Sequence, residues 1–138
     1  MKRLRDWQSR LQACVAERWR TPFEWGQFDC VLLAADAVLA CTGEDLAAEY
    51  RGTYSDAAGA ARLIETHGGL EAIAAARLGA EIRPVLAQPG DIGLLSNEGR
   101  PCLSVCTGAG WAAPCADGIL IFRNDQAMKA WRLIKRQD

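Results

Sequence analysis

The amino-acid sequence predicts an α+β fold in which N-terminal helices pack on a C-terminal antiparallel sheet. In the first half of the chain, apolar residues recur at the three- and four-residue spacing of helices. In the second half, short apolar runs alternate with glycine-containing turns, as in a sheet of short strands. The 138 residues match the usual size of one domain, and no linker or repeat divides them. We therefore expect a single domain over 1–138.

Charge and hydropathy exclude two classes of partner. The 16 basic and 17 acidic residues give a net charge of −1, which leaves no basic excess to neutralise a nucleic-acid backbone. No apolar run reaches the roughly 18 residues of a membrane span, and none of signal-peptide length follows the basic N-terminus. We expect no membrane span and synthesis in the cytoplasm, where the six cysteines would remain free thiols.

The first helix is expected over 3–19, ahead of Pro22. Its apolar stripe predicts that Trp7 and Trp19, like Trp131 near the other end of the chain, are core residues. An ordered aromatic loop over 23–28 follows. The stripe consists of Leu4, Trp7, Leu11, Cys14, Val15 and Trp19.

The second helix gives the clearest pattern, with Asp29 as N-cap, Cys30 as first residue and Gly43 as stop. Its apolar surface is wide enough that we expect a central, mostly buried helix. Asp36 lies six positions after Cys30, so we expect it on the opposite face as a solvated carboxylate. The apolar face comprises Cys30, Leu33, Ala34, Ala37, Val38 and Cys41.

Two shorter helices and the strands complete the expected fold. A third helix over 56–66, capped by Ser55, ends at the single histidine, His67, which we expect at the surface. A fourth runs from Leu70 to Leu78. Asp91 is expected to fix the entry of the first strand. Strands are expected at Ile92–Ser96, Cys102–Thr107, Trp111–Ala113 and Ile119–Phe122, with Asn97–Arg100 as a hairpin connection, and a helical turn from Asn124 leads to a last strand at Ala130–Ile134.

Cys30 is the residue placed for chemistry. The positive end of a helix dipole favours the thiolate of a cysteine in the first turn, and a nucleophile of this kind also needs a base, usually histidine. A buried core cysteine without chemistry is the alternative. Cys102, Cys106 and Cys115 are the candidate metal ligands, but Cys102 and Cys106 would lie about 13 Å apart on one strand. Unless the strand breaks, they are too far apart to share a zinc ion with bonds of ~2.3 Å. We expect no metal and no cofactor.

The segment Phe23-Glu24-Trp25-Gly26-Gln27-Phe28-Asp29-Cys30 resembles the nucleophile segment of the NlpC/P60 family of cell-wall cysteine peptidases. Pro89 to Leu95 is similar to that family's Gly-Asp first strand, and Leu103 to Gly108 to its next strand. The chain also resembles small phage proteins of this superfamily that are encoded among tail genes. The shared segments are Trp25-Gly26-x-x-Asp29-Cys30, Thr42-Gly43, Arg51-Gly52-x-Tyr54, Gly68-Gly69-Leu70 and Ala130-Trp131-Arg132.

This resemblance implies a papain-like fold, but the sequence departs from the catalytic pattern. The family's histidine falls at Cys102, and the residue that orients it falls near Ala112 or Ala113. Val31 follows Cys30, where active members usually have serine. Neither thiol nor methyl supplies the missing acid–base group.

The resemblance therefore implies a non-catalytic structural or assembly component of a phage tail tip or baseplate, a pseudoenzyme that contacts other tail-tip proteins in the virion. The alternative is an active cysteine peptidase or amidase that cleaves peptidoglycan during DNA entry. Trp25, with Gly26 and Asp29, is expected to line a cleft or to contact a partner, since tryptophan is enriched at interfaces.

Overall fold

In the computed structural model, which describes residues 1–134, four helices precede a six-stranded sheet. This confirms the predicted α+β fold and its layout. The helices are α1 (Trp7–Arg18), α2 (Cys30–Thr42), α3 (Ala57–Thr66) and α4 (Leu70–Arg77). The strands are β1 (Glu81–Ile82), β2 (Ile92–Asn97), β3 (Arg100–Cys106), β4 (Trp111–Cys115), β5 (Gly118–Phe122) and β6 (Ala127–Trp131), with single 3-10 turns at Pro84–Leu86 and Asn124–Gln126.

The sheet has the order β1-β6-β2-β3-β4-β5, and every neighbouring pair is antiparallel. Strands β2 to β5 follow one another as hairpins. The β2–β3 connection turns on two residues, Glu98 and Gly99, whose φ angles of 53° and 79° are those of a type I′ turn. Strand β6 returns across the sheet and inserts between β1 and β2.

Helix α2 is central, as its wide apolar surface predicts. The Asp29 side chain caps its first turn, and Gly43 ends it in the left-handed conformation at φ 83°. Ten of its 13 residues are buried, which confirms the expectation of a mostly buried helix. It packs on β3 and β4 and against α1.

The two faces of the sheet carry separate apolar clusters because side chains alternate along a strand. One face meets α2 through Leu103 and Val105 of β3. We call the group on the other face the outer cluster. The Trp111 ring lies directly over Gly93, where a Cβ would be 2.6 Å from the ring. The outer cluster consists of Leu95, Cys102, Cys106, Trp111, Ala113 and Ala130.

Several local predictions are wrong. Helix α1 begins at Trp7 rather than at residue 3 and ends before Trp19, which is 45% exposed rather than core. Trp7 is only partly buried, whereas Trp131 is a core residue as expected. Asp56, not Ser55, caps α3 by accepting a hydrogen bond from Gly59 N.

The strand predictions err mainly at the ends. The last strand runs from Ala127 to Trp131 rather than from Ala130 to Ile134, although the helical turn before it is present. Strand β1 was not predicted from the sequence, because two residues are too short to form a recognisable pattern. Strands β2 and β4 extend one and two residues beyond the predicted ends.

Asp36 is buried, not solvated as predicted. Its side chain is 8% exposed. Its Oδ2 forms an ion pair with Arg18 Nε at 2.8 Å, and its Oδ1 forms another with Arg51 Nη2 at 2.7 Å. Arg51 also binds Asp45 at 2.8 Å. A buried carboxylate requires such partners to offset the loss of its hydration. Because Arg18 lies on α1 and Asp36 on α2, one ionic network joins these helices to the turn around Arg51.

Candidate functional site

The loop that leads into α2 is organised by the Asp29 carboxylate, which is 2% exposed. One oxygen, Oδ1, accepts the N-cap bond from Leu32 N at 3.0 Å. The other, Oδ2, accepts from Gly26 N at 3.0 Å and from the Tyr54 hydroxyl at 2.5 Å. Three donors satisfy the buried charge, so this aspartate fixes the position of the following residue, Cys30.

The turn around Tyr54 packs directly on this loop. Gly26 has φ 80°, and a Cβ there would lie 2.0 Å from the Tyr54 carbonyl oxygen. Gly26 O in turn accepts a hydrogen bond from Gly52 N at 3.0 Å. The Trp-Gly-x-x-Asp-Cys segment and the Arg-Gly-x-Tyr turn, distant in sequence, therefore form one structural unit.

Cys30 lies at the first residue of α2 and is partly exposed. It packs against the outer cluster, which contains the buried thiol of Cys102 on β3, and each of the two thiols shifts the pKa of the other. Cys102 Sγ also lies 3.3 Å from the Leu103 carbonyl oxygen, which holds it in place. The structure thus brings Cys30 together with the residue at the predicted histidine position, and that residue is a second thiol.

The two thiols differ in acidity. The hydrogen bond from Cys102 lowers the pKa of Cys30, and the backbone N–H groups of Leu103 and Val31 lower it further against the opposing effect of burial. The same hydrogen bond raises the pKa of Cys102, and burial adds to this. Cys30 is consequently the more acidic of the two thiols. In contrast, the pKa values of Cys14, Cys41, Cys106 and Cys115 are all raised, chiefly by burial.

The position of the expected orienting residue is filled by methyl groups. Ala112 and Ala113 on β4 are both fully buried. Ala113 belongs to the outer cluster with Cys102, whereas Ala112 faces the helices. A methyl side chain neither accepts nor donates a proton, so β4 supplies no polar partner for a base at this point.

His67 is a surface residue at the end of α3, as predicted. Its ring Nδ1 lies 2.9 Å from Leu63 O, and the ring packs edge-on against Tyr50 with centroids 5.1 Å apart. Through these contacts, His67 packs at the end of α3 as a helix-end residue.

Trp25, Gly26 and Asp29 were predicted together as cleft or partner contacts, and only Trp25 has access to the surface. Gly26 and Asp29 are buried in the loop, where the Asp29 carboxylate accepts its hydrogen bonds from inside the protein. Trp25 packs edge-on against Phe23 at 4.6 Å and lines an open groove of about 950 Å³. The groove runs between α3 and the start of β3, where Arg100 and Pro101 form the opposite wall.

Sulfur and carboxylate groups do not cluster for metal binding in the part of the chain that the structure describes. Over residues 1–134, no group of three or more histidine, cysteine, aspartate or glutamate side chains has the geometry to hold an ion. Cys102 and Cys106 do share strand β3, as expected from the sequence. Among the same residues, no helix is both long and apolar enough to cross a membrane.

A comparison with protein families identifies the domain. The family model described as a domain of unknown function, DUF6950, matches residues 2–133. The chain belongs to the DUF6950 family. No curated protein matches the sequence.

The DUF6950 match covers every element that builds the site, from the helix before the Cys30 loop to the strand β6 that completes the sheet. The chemistry available in this DUF6950 domain is that of a thiol with a lowered pKa, held at a helix start in the same cluster as a second thiol. Such an arrangement can attack an electrophile, but it has no neighbouring group among residues 1–134 that we can assign as a general base.

Sequence reasoning missed the contacts that join distant parts of this DUF6950 domain. The Tyr54 hydroxyl on Asp29 and the pairing of Asp36 with Arg18 and Arg51 link residues at least 15 positions apart. The Arg-Gly-x-Tyr turn was visible as a motif, but nothing in a single sequence shows which buried carboxylate it meets.

Proposed function

We propose that this protein is a non-catalytic structural or assembly component of a phage tail tip, built on an NlpC/P60-like, papain-like scaffold. One observation carries the proposal: Cys30, at the nucleophile position, is paired with the raised-pKa thiol of Cys102 and not with a base. The resemblance of the sequence to small phage proteins encoded among tail genes supplies the biological setting.

The chemistry of acyl transfer explains why this pairing argues against turnover. A thiolate can form beside a helix N-terminus without histidine, but the leaving amine must then receive a proton and the acyl-enzyme needs an activated water. A positioned acid–base group typically contributes about 10²–10⁴-fold to such steps. Cys102 holds its proton tightly, and Ala113 offers nothing to share it.

The retained motif has a structural use that does not need catalysis. Asp29 and Gly26 hold the loop against the Tyr54 turn, and Gly43 ends the central helix. Selection for the fold alone would keep these residues. A scaffold of this kind fits a component that contributes surfaces to an assembly.

The groove beside Trp25 is the surface that we propose contacts other tail-tip proteins. It combines a tryptophan, a wall of alanines from α3 and the cation of Arg100. Aromatic and arginine side chains are enriched at the energetic centres of interfaces. Peptidoglycan is a second ligand that the same groove could meet at the distal end of a tail.

The proposed setting is tested in virions. Mass spectrometry of purified particles of a phage that encodes this chain should find it among the tail-tip proteins, after synthesis in the host cytoplasm. A tagged copy should also recover those proteins. Absence from both virions and tail intermediates would contradict the proposal.

An active cysteine peptidase or amidase that cleaves peptidoglycan during DNA entry is the second candidate. The lowered pKa and partial exposure of Cys30 favour it, since both are needed for a reactive thiolate.

Muropeptide release by purified protein separates the two functions. We expect no release above a Cys30→Ala control, and normal plating of phage that carry Cys30→Ser. Release that depends on Cys30 would establish the enzyme instead, and its further loss in His67→Ala would identify a histidine base.

A further inference from the structure

The pairing of Cys30 with Cys102 has a chemical consequence that does not depend on hydrolysis or on a phage. Cys30 packs against the outer cluster to which Cys102 belongs, so the two thiols lie in one packed group. They come from different elements, the start of α2 and the start of β3, so a bond between them would staple helix to sheet.

The two sulfurs differ in access. Cys30 is partly exposed and lies at a helix N-terminus, where backbone N–H groups stabilise its thiolate. Cys102 is 8% exposed, and the Leu103 carbonyl fixes its position. An oxidant therefore reacts with Cys30 first, and the buried Cys102 thiol remains reduced at that stage. Reversible redox sites commonly have this arrangement of an accessible thiolate and an adjacent resolving thiol.

We propose that Cys30 and Cys102 form a redox site, in which hydrogen peroxide oxidises Cys30 and Cys102 then closes a reversible disulfide. In the first step, the Cys30 sulfur attacks the peroxide, its S–O bond forms as the O–O bond breaks, and one water leaves. In the second, the Cys102 sulfur displaces the hydroxyl of the Cys30 sulfenic acid, and its proton leaves with that hydroxyl as a second water. Two thiols lose two electrons in total, and the peroxide gains them.

Stepwise addition of hydrogen peroxide to the folded, full-length protein tests the site. The protein is then denatured, alkylated and weighed intact, and the joined peptides are sequenced by fragmentation. We expect two of the six thiols to disappear together, the bridge to map to Cys30 and Cys102, and a thiol reductant to restore both.

Two substitutions sharpen the result. In Cys102→Ser, the same peroxide should leave no bridge, and dimedone should trap a sulfenic acid at Cys30. Cys115→Ser is the matched control, because Cys115 lies near Cys102 and is partly exposed, yet its loss should leave the bridge intact.

Three outcomes would overturn the proposal. These are a bridge that maps to Cys102 and Cys115, oxidation of Cys30 to sulfinic acid with Cys102 still free, and an unchanged loss of two thiols in Cys102→Ser. The mapping in the unsubstituted protein decides the question even where a variant fails to fold.

Discussion

Asp29 shows how a residue beside a candidate nucleophile can serve the fold. Its carboxylate is buried and accepts hydrogen bonds from Gly26, Leu32 and Tyr54. Removal of an acceptor leaves buried donors unpaired, which costs about 1–3 kcal/mol per group. The aspartate in the Asp-Cys pair thus positions the thiol without touching any substrate.

We predict that Asp29→Ala lowers the free energy of unfolding by about 2–4 kcal/mol, since it removes a helix cap and uncovers two further donors. Urea denaturation measures this. Asp56→Ala is the control, because Asp56 caps α3 at the surface with one bond and should cost about 1 kcal/mol. Equal losses in the two variants would show that the internal bonds of Asp29 contribute nothing.

The pH dependence of Cys30 alkylation tests the thiol pair. The rate follows the thiolate, so it should rise with pH through a midpoint below that of an ordinary thiol. In Cys102→Ala the principal hydrogen-bond donor is lost, and the midpoint should move to higher pH. Iodoacetamide labelling in a Cys115→Ser background measures it. An unchanged midpoint would mean that Cys102 does not stabilise the thiolate.

Local patterns in the sequence predict the chemistry of single residues better than their surroundings. The N-cap role of Asp29 and the helix start at Cys30 follow from their immediate neighbours, and both are confirmed. The prediction that Asp36 is solvated is wrong because a helical projection shows the side of the helix on which a residue lies but not what covers that side. Its partners Arg18 and Arg51 come from other elements.

The loop before α2 and the Tyr54 turn illustrate how a glycine can be fixed by two different constraints. Gly26 and Gly99 have almost the same φ, 80° and 79°. A Cβ at Gly26 would strike the Tyr54 carbonyl, whereas nothing lies within 4 Å at Gly99. The pair separates the cost of backbone conformation from the cost of a clash.

We therefore predict that Gly99→Ala costs about 1–2 kcal/mol of unfolding free energy, as a left-handed residue with a Cβ should. Gly26→Ala should cost at least about 2 kcal/mol more, because backbone must move to make room. Thermal or urea unfolding of both variants gives the difference. Similar losses of unfolding free energy in the two variants would indicate that the Tyr54 turn moves away at little cost.

The ionic network of Asp36 joins three parts of the chain, so its loss should lower the stability of the whole domain and not of α2 alone. We expect Asp36→Ala to lower the free energy of unfolding by about 2 kcal/mol, since two arginines lose a buried partner. Asp125→Ala, at a surface pair with Arg123, should have little measurable effect because solvent screens it. Denaturant midpoints would reveal the contrast, and equal shifts would contradict it.

The molecule as a whole is held by a cluster that draws on both halves of the chain. Residues of α1, α2, α4, β2 and β3 pack in it, as do Trp131 and Leu133 near the end of the described chain. Because neither the helices nor the sheet keeps its core without the other, the expected single domain should unfold in one step.

Coincident urea transitions by tryptophan fluorescence and far-ultraviolet circular dichroism would verify this. The tryptophans report on packing, and the dichroism reports mainly on the helices. Two separated transitions would show that helices and sheet unfold as distinct units.

The general layout could be predicted because it depends on periodicity, which a sequence displays directly. The order of strands could not, since the insertion of β6 between β1 and β2 is a long-range pairing. The partners of the site, Cys102 for Cys30 and Tyr54 for Asp29, were open for the same reason. The position of Cys102 was inferred from a resemblance, and its contact with Cys30 needed coordinates.

The place of β6 in the sheet imposes an order on biosynthesis. Among the strands of residues 1–134, this one leaves the ribosome last, yet within that part of the chain β1 and one edge of β2 pair only with it. Until it arrives, the nascent chain carries an unpaired apolar strand, a template for association with other chains. A truncation that removes β6 should therefore cause aggregation out of proportion to the area removed, and a chaperone that shields β2 would act in that interval.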